Sequence, residues 1–240
     1  MKISYFGHSC FLVEINTIKI LFDPFITPNE LAKNINVSEI KSDFILISHG
    51  HEDHIADAVL MANKTGAKVV SNWEIISWMG KNGITKTHPM NTGGKWKFYK
   101  DSSTISDQEI KNFTVKCTNA VHSSSFPDGT YGGNPMGFLI ESGKEKFYYS
   151  GDTALTTDMK LIGEYDKPAV AFLPIGDNFT MGIEDAVIAA EFAGCKKIIG
   201  LHYDTFGFIK INHGEAKKKF SDSGKELILM EIGEELEVEG

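Results

Sequence analysis

Apolar positions along the chain follow two periods, and the switch between them outlines the elements. Residues 2–6, 10–15 and 17–22 alternate apolar and polar side chains about a turn at 15–17, which predicts an antiparallel meander. The run 44–48 reads as a buried strand, and 55–62 carries apolar residues at helical spacing. A strand at 67–70, a helix at 73–80 and strands at 95–99 and 113–117 complete a first half. Trp73 and Trp78 are expected to pack in or just below the core. A second half echoes the first: a hairpin of 137–142 and 146–150 about Gly143, a helix at 154–164, a strand at 169–173, a helix at 183–192 and a strand at 197–201. A helix at 213–221 and strands at 226–230 and 235–238 finish the chain. Two such halves pack as two sheets face to face with helices outside, an α/β architecture of four layers. No stretch is rich enough in Gly, Ser or charge to serve as a linker, so one domain over 1–240 is expected.

Composition narrows the partners. With 42% hydrophobic and 23% charged residues the chain reads as an ordinary soluble globular protein. A net charge of −8 argues against a broad phosphate-binding face, so nucleic acid is not the expected partner. Lys217, Lys218 and Lys219 read as the solvated face of a helix, and the acidic end, with Glu231, Glu234, Glu235, Glu237 and Glu239, as an edge strand protected by charge. Cys10, Cys117 and Cys195 lack CxxC spacing, so neither a disulfide framework nor a thiolate zinc knuckle is implied, and Cys10 and Cys117, in strand-like runs, read as small core residues. The start lacks a basic segment followed by an apolar run, and no stretch reaches membrane-spanning length, so a cytoplasmic protein without membrane contact is expected. The sequence leaves a homo-oligomer open.

The chemistry concentrates in His49-Gly50-His51-Glu52-Asp53-His54, between the strand at 44–48 and the helix at 55–62. Three imidazoles and two carboxylates so close are costly to order without a counter-charge, which asks for a cation. His49 and His51, two apart in extended chain, point to one side, while Asp53 and His54 open the helix toward a second point. Such donors suit zinc, with manganese or iron where oxygen ligands dominate. A plain helix cap would account for Asp53 and leave three histidines unexplained. His8, between two strands, and Asp23, just beyond one, are placed either to approach this turn or to serve as turn residues.

The stretch matches HxHxDH and resembles the signature of the metallo-β-lactamase superfamily. Ala120-Val121-His122-Ser123, Tyr149-Ser150-Gly151-Asp152-Thr153 and Gly200-Leu201-His202-Tyr203 resemble, in order, that family's third histidine, bridging aspartate and last histidine. The resemblance implies an αββα sandwich of two mixed sheets. It also implies two divalent ions, Zn2+ foremost and Mn2+ or Fe as alternatives: His49, His51 and His122 on one, Asp53, His54 and His202 on the other, Asp152 between. With a bridging hydroxide the site carries about +1 by formal counting, which favours a small anionic substrate. The implied chemistry is attack by water whose pKa the metals lower from ~15.7 to around 7. Asp53 would then ligate or orient the nucleophile.

The turns at His8-Ser9 and Asp23-Pro24 and the loops 90–94 and 176–182 resemble the branch of metal-dependent hydrolases near ascorbate-phosphate lactonase. That implies a metal-dependent hydrolase, few substrates being defined in the branch; the bond expected is of ester type, in a lactone, carboxylester or phosphodiester. His8, Asp177 and Tyr203 are further candidates to protonate the leaving group, orient a ligand or bind substrate, though Asp177 is equally placed to close a turn and Tyr203 to pack. An RNA or DNA phosphodiesterase is the main rival, disfavoured by the lack of a basic arm or a large inserted domain. Diiron redox chemistry is disfavoured because His51 stands where that branch often places Glu. A metal-stabilised binding protein without turnover is the non-enzymatic alternative.

Overall fold

The computed structural model describes residues 1–100 and 112–238; Glu239 lies outside the described residues. Three antiparallel strands come first, β1 (Lys2–Gly7), β2 (Cys10–Ile15) and β3 (Ile18–Phe22). Parallel strands β4 (Phe44–Leu46), β5 (Lys68–Ser71) and β6 (Thr87–Pro89) extend the sheet, with α1 (Glu52–Ile55), α2 (Ala58–Thr65) and α3 (Trp73–Lys81) in the connections. The second sheet repeats the plan. β7 (Lys95–Tyr99), β8 (Asn112–Asn119), β9 (Met136–Ser142) and β10 (Glu145–Tyr149) run antiparallel, and β11 (Val170–Pro174), β12 (Lys197–Leu201) and β13 (Glu226–Ile228) continue in parallel. Its helices are α4 (Asp158–Leu161), α5 (Ile183–Phe192) and α6 (His213–Asp222). β14 (Glu235–Glu237) returns to pair antiparallel with β1, so the acidic strand does form a sheet edge.

Strand alternation builds the layers. In β11, Val170 and Phe172 enter the core shared by both sheets, while Ala171 and Leu173 face the core under the helices of the second half. The inter-sheet core is aromatic: Phe11 stacks on Phe22 and Phe172, with centroids 4.6 and 4.4 Å apart. Each fully buried Phe contributes about 1.5–3 kcal/mol of transfer free energy. Outside the first sheet, Leu21, Ile45 and Val69 meet Met61, Ile75 and Met79; outside the second, Ile198 meets Ala186, Ala190 and Phe220. The four-layer αββα sandwich expected from the sequence is therefore the fold. Among the described residues no helix is long and apolar enough to cross a membrane.

Local departures have local causes. The expected helix at 55–62 is split at Asp57, whose carboxylate accepts from Ile26 N at 2.6 Å, Thr27 N at 2.7 Å and Thr27 Oγ1 at 2.5 Å, tying the 24–29 loop to the helix start. The expected helix at 154–164 begins only at Asp158, because Thr153 Oγ1 and Ala154 N are held by Val121. It ends in a π-helical turn (Ile162–Asp166). Residues 87–89, which the sequence pattern assigns to no strand, form an edge strand, where Pro89 costs no ladder hydrogen bond. Trp73 is 65% exposed on α3, contrary to expectation, whereas Trp78 stacks on Phe126.

Topology positions the site. β3 and β4 are parallel, and β8, β10, β11 and β12 run in one direction across the second sheet. The segments after these strands, and the β1–β2 turn, consequently gather at one end of the sandwich.

Candidate metal centre

His49 follows β4, and His51 is the extended N-cap of α1, with φ −67° and ψ 149°, so one residue separates two imidazoles in extended chain. Asp53 and His54 lie in the first helical turn. The β8, β10 and β12 ends deliver His122, Asp152 and His202, and the β1–β2 turn delivers His8. His8 and His202 adopt left-handed backbone, φ 57° and 55°, which sharpens each turn toward the centre.

The donors fall into two groups with Asp152 between them. His49, His51 and His122 form one, and His8, Asp53, His54 and His202 the other, with ligand atoms in each within 4.8 Å of one another. Asp152 Oδ2 lies 3.0 Å from His202 Nε2, 3.2 Å from His54 Nε2 and 3.9 Å from His122 Nε2. Asp53 Oδ2 lies 3.0 Å from His8 Nε2 and 3.9 Å from the Nε2 atoms of His54 and His202.

A buried network orients these rings. Asp23, fully buried after β3, accepts from Ser48 N at 2.7 Å, Ser48 Oγ at 2.6 Å and Tyr149 OH at 2.5 Å, and lies 2.8 Å from His54 Nδ1. A carboxylate only accepts, so His54 carries its proton on Nδ1 and presents a lone pair on Nε2. Because Ser48 gives its proton to Asp23, its oxygen accepts from His49 Nδ1 at 2.9 Å, which leaves the lone pair on His49 Nε2, 2.9 Å from His51 Nδ1 within the donor group. Asp23 also lies close to His49 and His54 as a third potential ligand group, but its oxygens are committed to these donors. By the same logic His8 donates from Nε2 to Asp53, and its Nδ1 accepts from Thr205 Oγ1 at 3.0 Å.

The electrostatics ask for a cation. Burial opposes ionisation of Asp152, yet His202 and His54 outweigh it and hold the carboxyl well below the usual range. Burial likewise opposes charge on His54, but Asp152, Asp53 and Asp23 together raise it well above an ordinary imidazole. Burial and then His54 push His49 well below the usual range, and burial lowers His51 and His122. Burial, then His202, brings His8 down to about 4. Three carboxylates thus converge on His54, and a cation seated at its Nε2 would supply their counter-charge in place of a second imidazole proton, while burial keeps His49, His51 and His122 toward the neutral form. Among the described residues, buried His54 Nε2 and His202 Nδ1 have no hydrogen-bond partner. Neutral imidazole and ionised carboxylate are the ligand forms of a divalent metal, so His and Asp residues here are positioned to bind one.

Above the donors opens a cavity of about 960 Å³, lined at its floor by His51, Asp53, His122, Asp152 and His202. Its wall is aromatic, from Phe25, Phe179, Phe206 and Phe208. Of the further candidates, His8 is brought to the centre. Asp177 and Tyr203 are not: Asp177 is exposed in a neighbouring loop cavity, at φ 63° in a turn closed by its own N–H to Met181 O at 3.1 Å, and buried Tyr203 donates to Met230 O at 3.3 Å. The Asp23–Ser48–Tyr149 network and the Phe wall were not identified from sequence. Two Phe residues four and six positions beyond His202 were the available signal.

Close packing also fixes His202. Parallel register pairs Pro174 with Leu201, which lays Gly176 against the His202 backbone. A Cβ on Gly176 would stand 2.0 Å from His202 O. Gly176→Ala is expected to cost about 1–3 kcal/mol or more and to displace the ring. A melting temperature and metal content equal to those of the parent would refute this.

The comparisons agree with this geometry. A family model described as a β-lactamase superfamily domain matches residues 2–202. A protein of Christiangramia forsetii named UPF0173 metal-dependent hydrolase is 51% identical over 239 residues, covering 99% of this chain and 100% of its own. The protein of that name from Flavobacterium johnsoniae is 50% identical over 238 residues, with 99% and 100% covered. Among solved structures, Igni18, a metallo hydrolase from Ignicoccus hospitalis, superposes with a TM-score of 0.84 at 35% identity over 99% of each chain. With signature, fold and donor geometry in agreement with such relatives, the chain belongs to the metallo-β-lactamase superfamily, in its branch of UPF0173 metal-dependent hydrolases.

Proposed function

We propose that this enzyme hydrolyses an ester-type bond, in a lactone, carboxylester or phosphodiester, of a small molecule, and that it does so with two divalent ions, zinc fitting the nitrogen-rich donors best. The observation that carries the reading is the division of the donors into two groups about Asp152 at the floor of an open cavity. His49, His51 and His122 would hold one ion and Asp53, His54 and His202 the other, with Asp152 shared. Ions so held would supply Lewis acidity and activate water as the nucleophile at neutral pH.

The remaining work falls to the chain. Asp23 and Ser48 keep His54 and His49 in the tautomers that present Nε2. His8 donates to Asp53 Oδ2, the carboxylate oxygen that stands nearest His54 and His202, and so holds it toward the second donor group. Burial of Asp152 and His54 excludes solvent beneath the reacting atoms. A polynucleotide substrate is disfavoured, since the chain carries −8 and the described cavity lining includes no Lys.

Elemental analysis of the purified protein, paired with lactone, carboxylester and phosphodiester substrates before and after chelation, tests the reading. Near two equivalents of metal and chelator-sensitive hydrolysis are expected. No metal retained or rebound, and no turnover with any added divalent ion, would overturn it.

A further inference from the structure

The wall of the cavity is chemically unlike its floor. Phe206 and Phe208 lie four and six residues beyond His202, on the loop that carries that ligand, and Phe179 reaches in from the β11–α5 loop. Phe208 is 78% exposed and Phe179 50% exposed, with centroids 6.3 Å apart and planes at 79°. Deeper in, Phe206 meets His8 edge-on at 5.3 Å and lies 6.4 Å from buried Phe25. Exposed Phe side chains in edge-to-face contact at the lining of a cavity leave apolar surface in water that an apolar group would cover.

Charge narrows the occupant. The chain contains no arginine, and among the described residues that line the cavity there is no lysine. Exposed Glu52 adds a negative charge at the rim. An anionic group away from the reacting bond would meet no counter-charge on this wall and one repulsive carboxylate. A cationic group would find that carboxylate, but it would approach a floor given over to divalent ions. An uncharged ring avoids both costs and fits the edge-to-face geometry already set by the Phe pairs.

We propose that the substrate carries an uncharged aromatic group beside the scissile bond, and that Phe179, Phe206 and Phe208 hold it as the specificity-determining wall. This rests on the hydrolase reading above, and it separates two parts of the substrate that formal charge on the metals treats as one. The floor favours oxyanion character at the reacting centre; the wall selects a neutral ring next to it.

Four acetate esters of primary alcohols, each rate taken relative to that ester's own alkaline hydrolysis, test it on the metal-loaded enzyme: benzyl, 4-sulfobenzyl, ethyl and choline acetate. Benzyl acetate is expected to show kcat/KM about tenfold or more above each of the others. Equal or better turnover of the sulfonate or the choline ester would overturn the proposal. Binding of N-benzylacetamide and its 4-sulfonate, followed by ligand-observed NMR, reads the wall without hydrolysis. Preference for the neutral amide with no ester turned over would leave the wall assignment standing and remove carboxylesters from the proposed function; preference for the sulfonate would remove the wall assignment alone. Phe179→Ala with Phe208→Ala truncates two exposed side chains, and should bring the benzyl-to-ethyl ratio of kcat/KM toward one. An unchanged ratio in a variant that melts like the parent would count against these residues.

Discussion

Asp152→Ala is expected to retain less than one equivalent of metal and to lose on the order of 10³-fold in kcat/KM, about 4 kcal/mol of barrier. The size of the effect follows from position. Asp152 Oδ2 is the one carboxylate oxygen that stands within 4 Å of His54, His122 and His202 among the described ion pairs, so its loss uncouples both donor groups at once. It is only 3% exposed, and no water can take over its charge at similar strength. Asp152→Asn keeps the shape and removes the charge. If the defect is electrostatic, the amide variant should fail as severely as the alanine variant, both read by elemental analysis and by initial rates at saturating added metal. Full activity with two bound equivalents in either variant would remove Asp152 from the centre.

The second large effect is expected at a residue outside the proposed ligand set. Asp23→Ala deletes the acceptor of Ser48 N, Ser48 Oγ, His54 Nδ1 and Tyr149 OH in a fully buried position. A buried donor left without a partner costs about 1–3 kcal/mol, and partial relaxation keeps the sum near about 3–5 kcal/mol. The same change frees the tautomers of His54 and, through Ser48, of His49. Metal affinity should then weaken by about 10–100-fold, as for other groups that orient metal ligands. Urea unfolding of the chelated protein isolates the first effect and metal titration the second. An unfolding midpoint and affinity like the parent's would show that the network contributes nothing.

Some features of the fold were legible because they depend on short windows. The alternation in 10–15 and the apolar run of 44–48 identify β2 and β4, and the helical spacing at 183–192 identifies α5 with its ends. The echo of the first half in the second is visible as two series of three antiparallel and three parallel strand pairings. Where the reading failed, a distant partner had intervened. Asp57 breaks a periodic helix because its carboxylate is committed to Ile26 and Thr27, and residues 153–154 are withheld from a helix by Val121. Trp73 carries the apolar signature of a core residue but sits at the N-terminus of α3, where the helix faces solvent.

The sequence by itself determined the donor types and their place at strand ends, because residue identity and hydrophobic period are local properties. It also placed His8 and Asp23 within reach of the metal turn without assigning what either does. Only the tertiary structure decided that Asp23 orients His54 through Nδ1, that His8 takes Asp53, and that Asp177 and Tyr203 bond elsewhere. The Phe wall belongs to the same class, since Phe25, Phe179 and Phe206 come together only when both sheets present their loops at one end. The reason is physical: a hydrogen bond or ring contact is set by angstrom-scale register between segments far apart in the chain, and no local pattern encodes that distance.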